Sequence, residues 1–146
     1  SLPAFSGSVR QGVLSTPRFY LFDLGVRHAA AGLPPEPTLV QANPGPLLEQ
    51  WVAIELWKRL GYLGEGRLSY FRTKTGVEVD LILEHRGRIT PIEVKWTDRP
   101  DASDARHLRT FLDEHKKTAP IGYIVCRCPR PLELAPRIRA IPWWML

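Results

Sequence analysis

A chain of 146 residues with 44% hydrophobic and 24% charged side chains has the composition of one globular domain, long enough to bury a core. Its apolar runs fall far short of the roughly 20 residues that cross a bilayer, and no signal-peptide pattern opens it. No membrane association and a cytoplasmic location are therefore expected. The net charge of +5 lies wholly in the second half: residues 1–84 carry 8 basic and 8 acidic side chains, residues 85–146 carry 12 and 7. Such an excess suits a phosphate-bearing partner, and a solvated surface accounts for it equally well.

The only methionine is Met145, so the chain is expected to be a piece of a longer polypeptide. Residues 1–17 are mixed, with turn signals at Ser6-Gly7-Ser8 and Thr16-Pro17. Arg18–Phe22 reads as a short buried strand. Asp23 then caps a short helix that runs to Ala31 and ends at Gly32. Pro34, Pro35, Pro37, Pro44 and Pro46 make the next stretch stiff and bar a long helix. Residues 1–45 are thus expected to form an extension packed on a core domain of residues 46–146.

That core opens with a helix over Leu47–Leu60, with Pro46 in its first turn and Gly61 at its end. Leu48, Val52, Leu56 and Leu60 form its apolar stripe. Glu49 lies at the stripe's edge, whereas Glu55 points to water. Three strands follow over 67–73, 77–84 and 88–96, with Gly76 and Gly87 marking the turns. Ala102–Lys117 is amphipathic, with Leu108, Phe111 and Leu112 inward. Ile121–Cys126 is a core strand, and Arg137–Leu146 an edge strand ending in Trp143-Trp144. The order α-β-β-β-α-β gives an α/β fold, a mixed sheet with helices on both faces. Cys126 and Cys128 read as buried free thiols, because residues two apart make a poor disulfide and two ligands make no structural zinc site.

Gly76-Val-Glu-Val-Asp80-Leu-Ile-Leu and Pro91-Ile-Glu93-Val-Lys95-Trp96 form the informative hairpin. Glu93 and Lys95 share a face by the two-residue period. Asp80 lies on the face opposite Val79, Leu81 and Leu83. A two-residue turn at Arg86-Gly87 or a four-residue turn at 85–88 sets Asp80 directly against Glu93. Opposed carboxylates repel, so a cation between them or a proton on one of them is required. Asp80, Glu93 and the Val94 backbone carbonyl offer oxygen donors suited to Mg2+ or Mn2+. Lys95 would orient or help deprotonate a water, and Glu49 is a further ligand or base. Together they suit phosphodiester hydrolysis, with Arg72 and Lys74 as phosphate contacts. The ordinary alternatives are an exposed ion pair, a strand-edge acid and a helix-dipole acid. His28, His85, His107 and His115 have no zinc spacing, and no glycine loop for ATP phosphates is present.

With Glu49, Asp80 and Glu93-Val-Lys95 in this order, the chain resembles the PD-(D/E)XK nuclease superfamily, whose fold is restriction-endonuclease-like. Val79-Asp80 stands where Pro-Asp is usual. Leu2-Pro3, Pro17-Arg-Phe-Tyr-Leu-Phe-Asp-Leu-Gly25, Tyr70-Phe-Arg-Thr73 and Ile92-Glu-Val-Lys95 also look like the uncharacterised C-terminal domain of many prokaryotic AAA-type ATPases. The resemblance implies an ATPase module upstream and a divalent-metal-dependent nuclease acting on DNA. A non-catalytic module that binds nucleic acid or protein and regulates its ATPase is the alternative. A bare DNA-binding domain working through the basic half is a third reading.

Overall fold

The computed structural model describes residues 1–5, 16–34 and 36–146, apart from the Leu39 side chain. The expected turn at Ser6-Gly7-Ser8 lies outside them. Helices α1 (Leu24–Ala30), α2 (Pro37–Ala42) and α3 (Pro44–Leu63) lead into strands β1 (Arg67–Arg72), β2 (Glu78–His85) and β3 (Arg88–Val94). Helix α4 (Arg106–Glu114) follows, then β4 (Gly122–Cys126), β5 (Leu132–Ala135), β6 (Ile138–Pro142) and a closing 3-10 turn at Trp143–Met145. The six strands form one sheet in the order β1-β2-β3-β4-β6-β5. Strands β3, β4 and β6 are parallel and the remaining pairs antiparallel.

The sheet separates two apolar clusters. Leu48, Val52, Leu56 and Leu60 of α3 pack with Leu68, Tyr70, Leu81, Ile92, Val94 and Val125. On the other face Leu108, Phe111 and Leu112 of α4 pack with Phe71, Val79, Ile82, Ile124 and Ile138. Each large aliphatic or aromatic group so buried contributes about 1.5–3 kcal/mol. Cys126 and Cys128 are free thiols within the α4-side cluster.

The β2–β3 hairpin turns on Arg86 and Gly87, with φ of 50° and 75°, the positive φ at both positions that a type I′ turn requires. Its register runs from His85↔Arg88 to Leu81↔Ile92, the register that the sequence expectation requires, and Asp80 and Glu93 follow where those paired rows end. The expected alternation of Val79, Leu81 and Leu83 on one face does not hold. Val79 joins the α4-side cluster, and Leu81 and Leu83 join the α3 side. The cause is a β-bulge: β1 pairs Ser69↔Ile82 and then Phe71↔Val79, leaving Asp80 and Leu81 together opposite Tyr70. A bulge of this kind re-aims one side chain.

Several boundaries differ from the sequence expectation. Helix α3 runs through Gly61 and stops at Gly64, whose φ of 69° supplies the left-handed cap. Helix α4 is shorter than 102–117 because Asp101 and Asp104 capture nearby backbone N–H groups: Asp101 Oδ1 accepts from Ser103 at 2.7 Å and Asp104 Oδ2 from Asp101 at 3.0 Å. Such bonds offer the chain an alternative to helix. Strand β6 lies inside the sheet, and β5 is the edge beside it. Arg18–Phe22 is not a buried strand: Arg18 alone makes a bridge, to Leu2, and Phe19 and Phe22 are 79% and 71% exposed.

The first residues pack into the domain. Leu2 and Arg18 exchange backbone hydrogen bonds of 2.7 and 3.0 Å, and Phe5 N–H donates to Tyr70 at 2.7 Å. The Phe5 ring is buried against Phe71, Phe111 and His115. This arm brings Arg18 and Tyr20 to the hairpin. Among the described residues no helix is long and apolar enough to cross a membrane.

Candidate active site

Four elements converge at the bulged end of the hairpin. Asp80 enters from the bulge in β2, Glu93 from β3 with Lys95 just past its end, Glu49 from the second turn of α3, and Arg18 and Tyr20 from the arm. Asp80 Oδ2 accepts the Val94 backbone N–H at 2.9 Å, which ties the carboxylate to the strand carrying Glu93. Lys95 Nζ lies 3.5 Å from Glu93 Oε2, as the shared face requires.

Glu93 is 3% exposed, and among the described residues its Oε1 has no hydrogen-bond partner. A buried carboxylate oxygen without a donor is costly when charged. Burial, reinforced by the charge of Asp80, pushes the Glu93 carboxyl up to about 9, so without a cation it holds a proton at neutral pH. Burial pulls the Lys95 ammonium down, but Glu93 and Asp80 outweigh it and the net shift is upward. Lys95 is therefore a fixed positive charge here, which suits holding a phosphate or orienting a water better than removing a proton.

Glu49 is bound by the arm. Its Oε1 accepts from the Tyr20 hydroxyl at 2.5 Å and from Arg18 Nη1 at 3.2 Å. Burial and then Asp80 raise its carboxyl above the ordinary value, against the opposing pull of Tyr20, Arg18 and Lys95. The Tyr20 hydroxyl is itself raised, by burial first and then by Glu49, so it remains a donor. Arg18 also pairs with Glu78 and lies 4.0 Å from Asp80 Oδ1, with its guanidinium 4.8 Å over the Tyr70 ring. One arginine thus serves three carboxylates.

The structure therefore brings Asp80, Glu93 and Lys95 together and places Glu49 beside them in the grip of the arm. Among the described residues no group of three His, Cys, Asp or Glu side chains could hold a metal ion. The donors that fit a hard divalent ion are the Asp80 and Glu93 carboxylates with the Val94 carbonyl. Arg72, exposed, pairs with Glu78 at 3.4 Å, and Lys74 is exposed in the turn after β1. Sequence reasoning missed Arg18, Tyr20, Glu78 and His107. Glu78 was findable, two residues before Asp80 on the same strand. His107 Nδ1 lies 3.0 Å from the Glu78 carbonyl; burial, then Arg106 and Lys95, lower its imidazole, leaving it neutral.

Residues 44–146, which hold the helix, the whole sheet and the acid pair, match the family described as "Domain of unknown function (DUF4143)". The chain belongs to the DUF4143 family. Relatives include uncharacterised proteins of Mycobacterium tuberculosis and Mycobacterium bovis, each 32% identical over 97 residues, which is 66% of this chain and 21% of the relative. The alignment with this DUF4143 chain thus spans about a fifth of those proteins' length. No solved structure matches the chain.

Proposed function

We propose that this DUF4143 domain is a PD-(D/E)XK-type nuclease that hydrolyses DNA phosphodiester bonds with Mg2+ or Mn2+, and that it works as the C-terminal module of a prokaryotic AAA-type ATPase. The observation that carries this reading is the closeness of Asp80 and Glu93 at the end of the hairpin, with a buried Glu93 oxygen that among the described residues lacks a donor and with Lys95 alongside. A purely structural hairpin has no need of that arrangement, which buries a carboxyl that must stay protonated far above its ordinary range. The much greater length of the mycobacterial relatives leaves room for an attached module.

Asp80, Glu93 and the Val94 carbonyl would hold the ion. When bound, the ion lowers the pKa of water and offsets charge on the phosphoryl oxygens. The protein's own part is positional. The Val94 N–H fixes one oxygen of Asp80, the strand fixes Glu93, and the Lys95 ammonium sits where it can bind a non-bridging phosphate oxygen. Arg72 and Lys74 flank the same strand ends and would contact DNA phosphates.

The test is cleavage of supercoiled and linear DNA by the chain with Mn2+. Asp80→Asn and Lys95→Ala should abolish cleavage, and Glu55→Gln, on the outer face of α3, should not. Equal cleavage by wild type and both site variants would reject the reading.

The second reading, a non-catalytic module that regulates its ATPase, is favoured by one observation: the arm occupies Glu49, so a third carboxylate is not offered. Calorimetry separates the two. A chain that takes up no Mn2+ at millimolar concentration fits the regulatory role.

A further inference from the structure

The parallel strands β3, β4 and β6 end together, and the residues just past their ends differ in character from the core behind them. The register rows Glu93↔Ile124 and Val94↔Val125 continue to Val125↔Ile141 and Cys126↔Pro142. Immediately beyond these rows come Trp96, Arg127 and the Trp143-Trp144 pair. The Arg127 guanidinium lies 4.4 Å from the centroid of the Trp96 ring. Trp96 is 42% exposed and Trp144 53%. Trp143 is anchored from behind by an edge-on contact with Trp51 at 5.2 Å, and Trp144 stands edge-on to it at 5.8 Å.

One feature sets Arg127 apart from the other exposed arginines. Its guanidinium lies over an indole ring, and among the described residues its side chain makes no ion pair or hydrogen bond, only its backbone N–H being held, by Thr97 at 2.8 Å. Arg127 therefore presents a planar, weakly hydrated cation with its N–H edges free. The ledge begins one residue after Lys95 in the chain. The exposed Arg127 guanidinium lies over the Trp96 ring, and a cation stacked on an indole in this way offers a planar platform for an unpaired base and a charge for its phosphate, since every base has a π face.

We propose that Trp96 and Arg127 form a base-stacking site for single-stranded DNA at the ends of the parallel strands, with Trp144 extending the ledge. The proposal deepens the nuclease reading by naming its substrate class, a strand with unpaired nucleotides. It does not need cleavage.

Binding of a fluorescent oligothymidine of about 12 nucleotides is measured by anisotropy with the whole chain in EDTA, beside a duplex of equal length. The strand should bind more tightly than the duplex. Trp96→Leu should weaken strand binding by roughly 5- to 100-fold while leaving the salt dependence unchanged. Trp96→Phe should recover much of the loss. Arg127→Gln should weaken binding and reduce the slope of log affinity against log salt by about 1. Wild-type affinity in Trp96→Leu, or a duplex bound as tightly as the strand, overturns the proposal. Should Trp96→Leu not fold, Trp96→Phe and Arg127→Gln decide: unchanged affinity and salt slope in Arg127→Gln overturn it. The two readings fail separately. Trp96-dependent binding with no cleavage under Mn2+ leaves this site standing without the nuclease. Mn2+-dependent cleavage with no Trp96 effect does the reverse.

Discussion

Arg18 Nη1 lies 3.2 Å from Glu49 Oε1 and its side chain is three-quarters buried, so a helix acid of the site is neutralised by a residue 31 positions earlier. The same guanidinium reaches Glu78 and stands 4.0 Å from Asp80. It is a resident cation among acids that a divalent ion would also seek. Arg18→Gln should therefore raise the affinity for Mn2+ by about tenfold, since one competing charge near ligands at this separation is worth about 1–2 kcal/mol at a partly screened site. The metal-free chain should lose about 1–3 kcal/mol of stability, and Mn2+ should restore it. Calorimetry and thermal unfolding with and without Mn2+ measure both, and weaker Mn2+ binding in Arg18→Gln would contradict the competition.

Glu93 predicts the pH dependence. Its folded value lies above the ordinary 4.5, so the metal-free chain takes up a proton there on folding. That contribution to stability is complete below about pH 4.5 and is lost as pH rises through about 9. Glu93→Gln keeps the neutral form at every pH. It should match wild type near pH 4 and exceed it by about 1–4 kcal/mol near pH 8, as read from urea unfolding at the two pH values.

A cation at Asp80 and Glu93 must displace that same proton. Mn2+ affinity of the wild type should rise with pH up to about 9, by as much as tenfold per unit. Titration in two buffers of different ionisation enthalpy should show close to one proton released. No release would place the ion elsewhere.

Phe5 tests whether the arm is part of the domain. Its ring is 2% exposed between Phe71 and Phe111, so Phe5→Ala should lose about 3–5 kcal/mol. The arm also sets Arg18, so the loss should come with weaker protection of the Tyr20 region in hydrogen exchange. A loss below about 1 kcal/mol would make the arm dispensable.

The acid pair was legible because register is arithmetic once a turn is known. Gly87 after Arg86 fixed the turn, and the turn fixed the register as far as Leu81↔Ile92, which brings Asp80 and Glu93 to the same end of the hairpin. Helix α3 was legible from its stripe, but its end was not. Gly61, Gly64 and Gly66 all follow the last leucines of the stripe, and only backbone conformation shows that Gly64 turns left-handed. Strand β5 was hidden because four residues between Pro131 and Pro136 carry too short a pattern. Phe19 and Phe22 misled because apolar content does not tell which side of an extended segment faces in. Arg18 and Tyr20 were beyond reach for another reason: their partner Glu49 is 31 and 29 residues away, and no local period encodes such contacts.

The bulge at Asp80 and Leu81 places the chemistry of the hairpin on a single inserted residue. Deleting Asp80 would let β1 and β2 pair in one register along their whole length, with Leu81 and Val79 kept in the clusters on their two faces of the sheet. Loss of the Asp80 codon alone would thus keep the sheet and remove the acid pair. DUF4143 chains whose second strand is one residue shorter here are expected to fold and to take up no Mn2+ at the hairpin, as thermal unfolding and calorimetry would show.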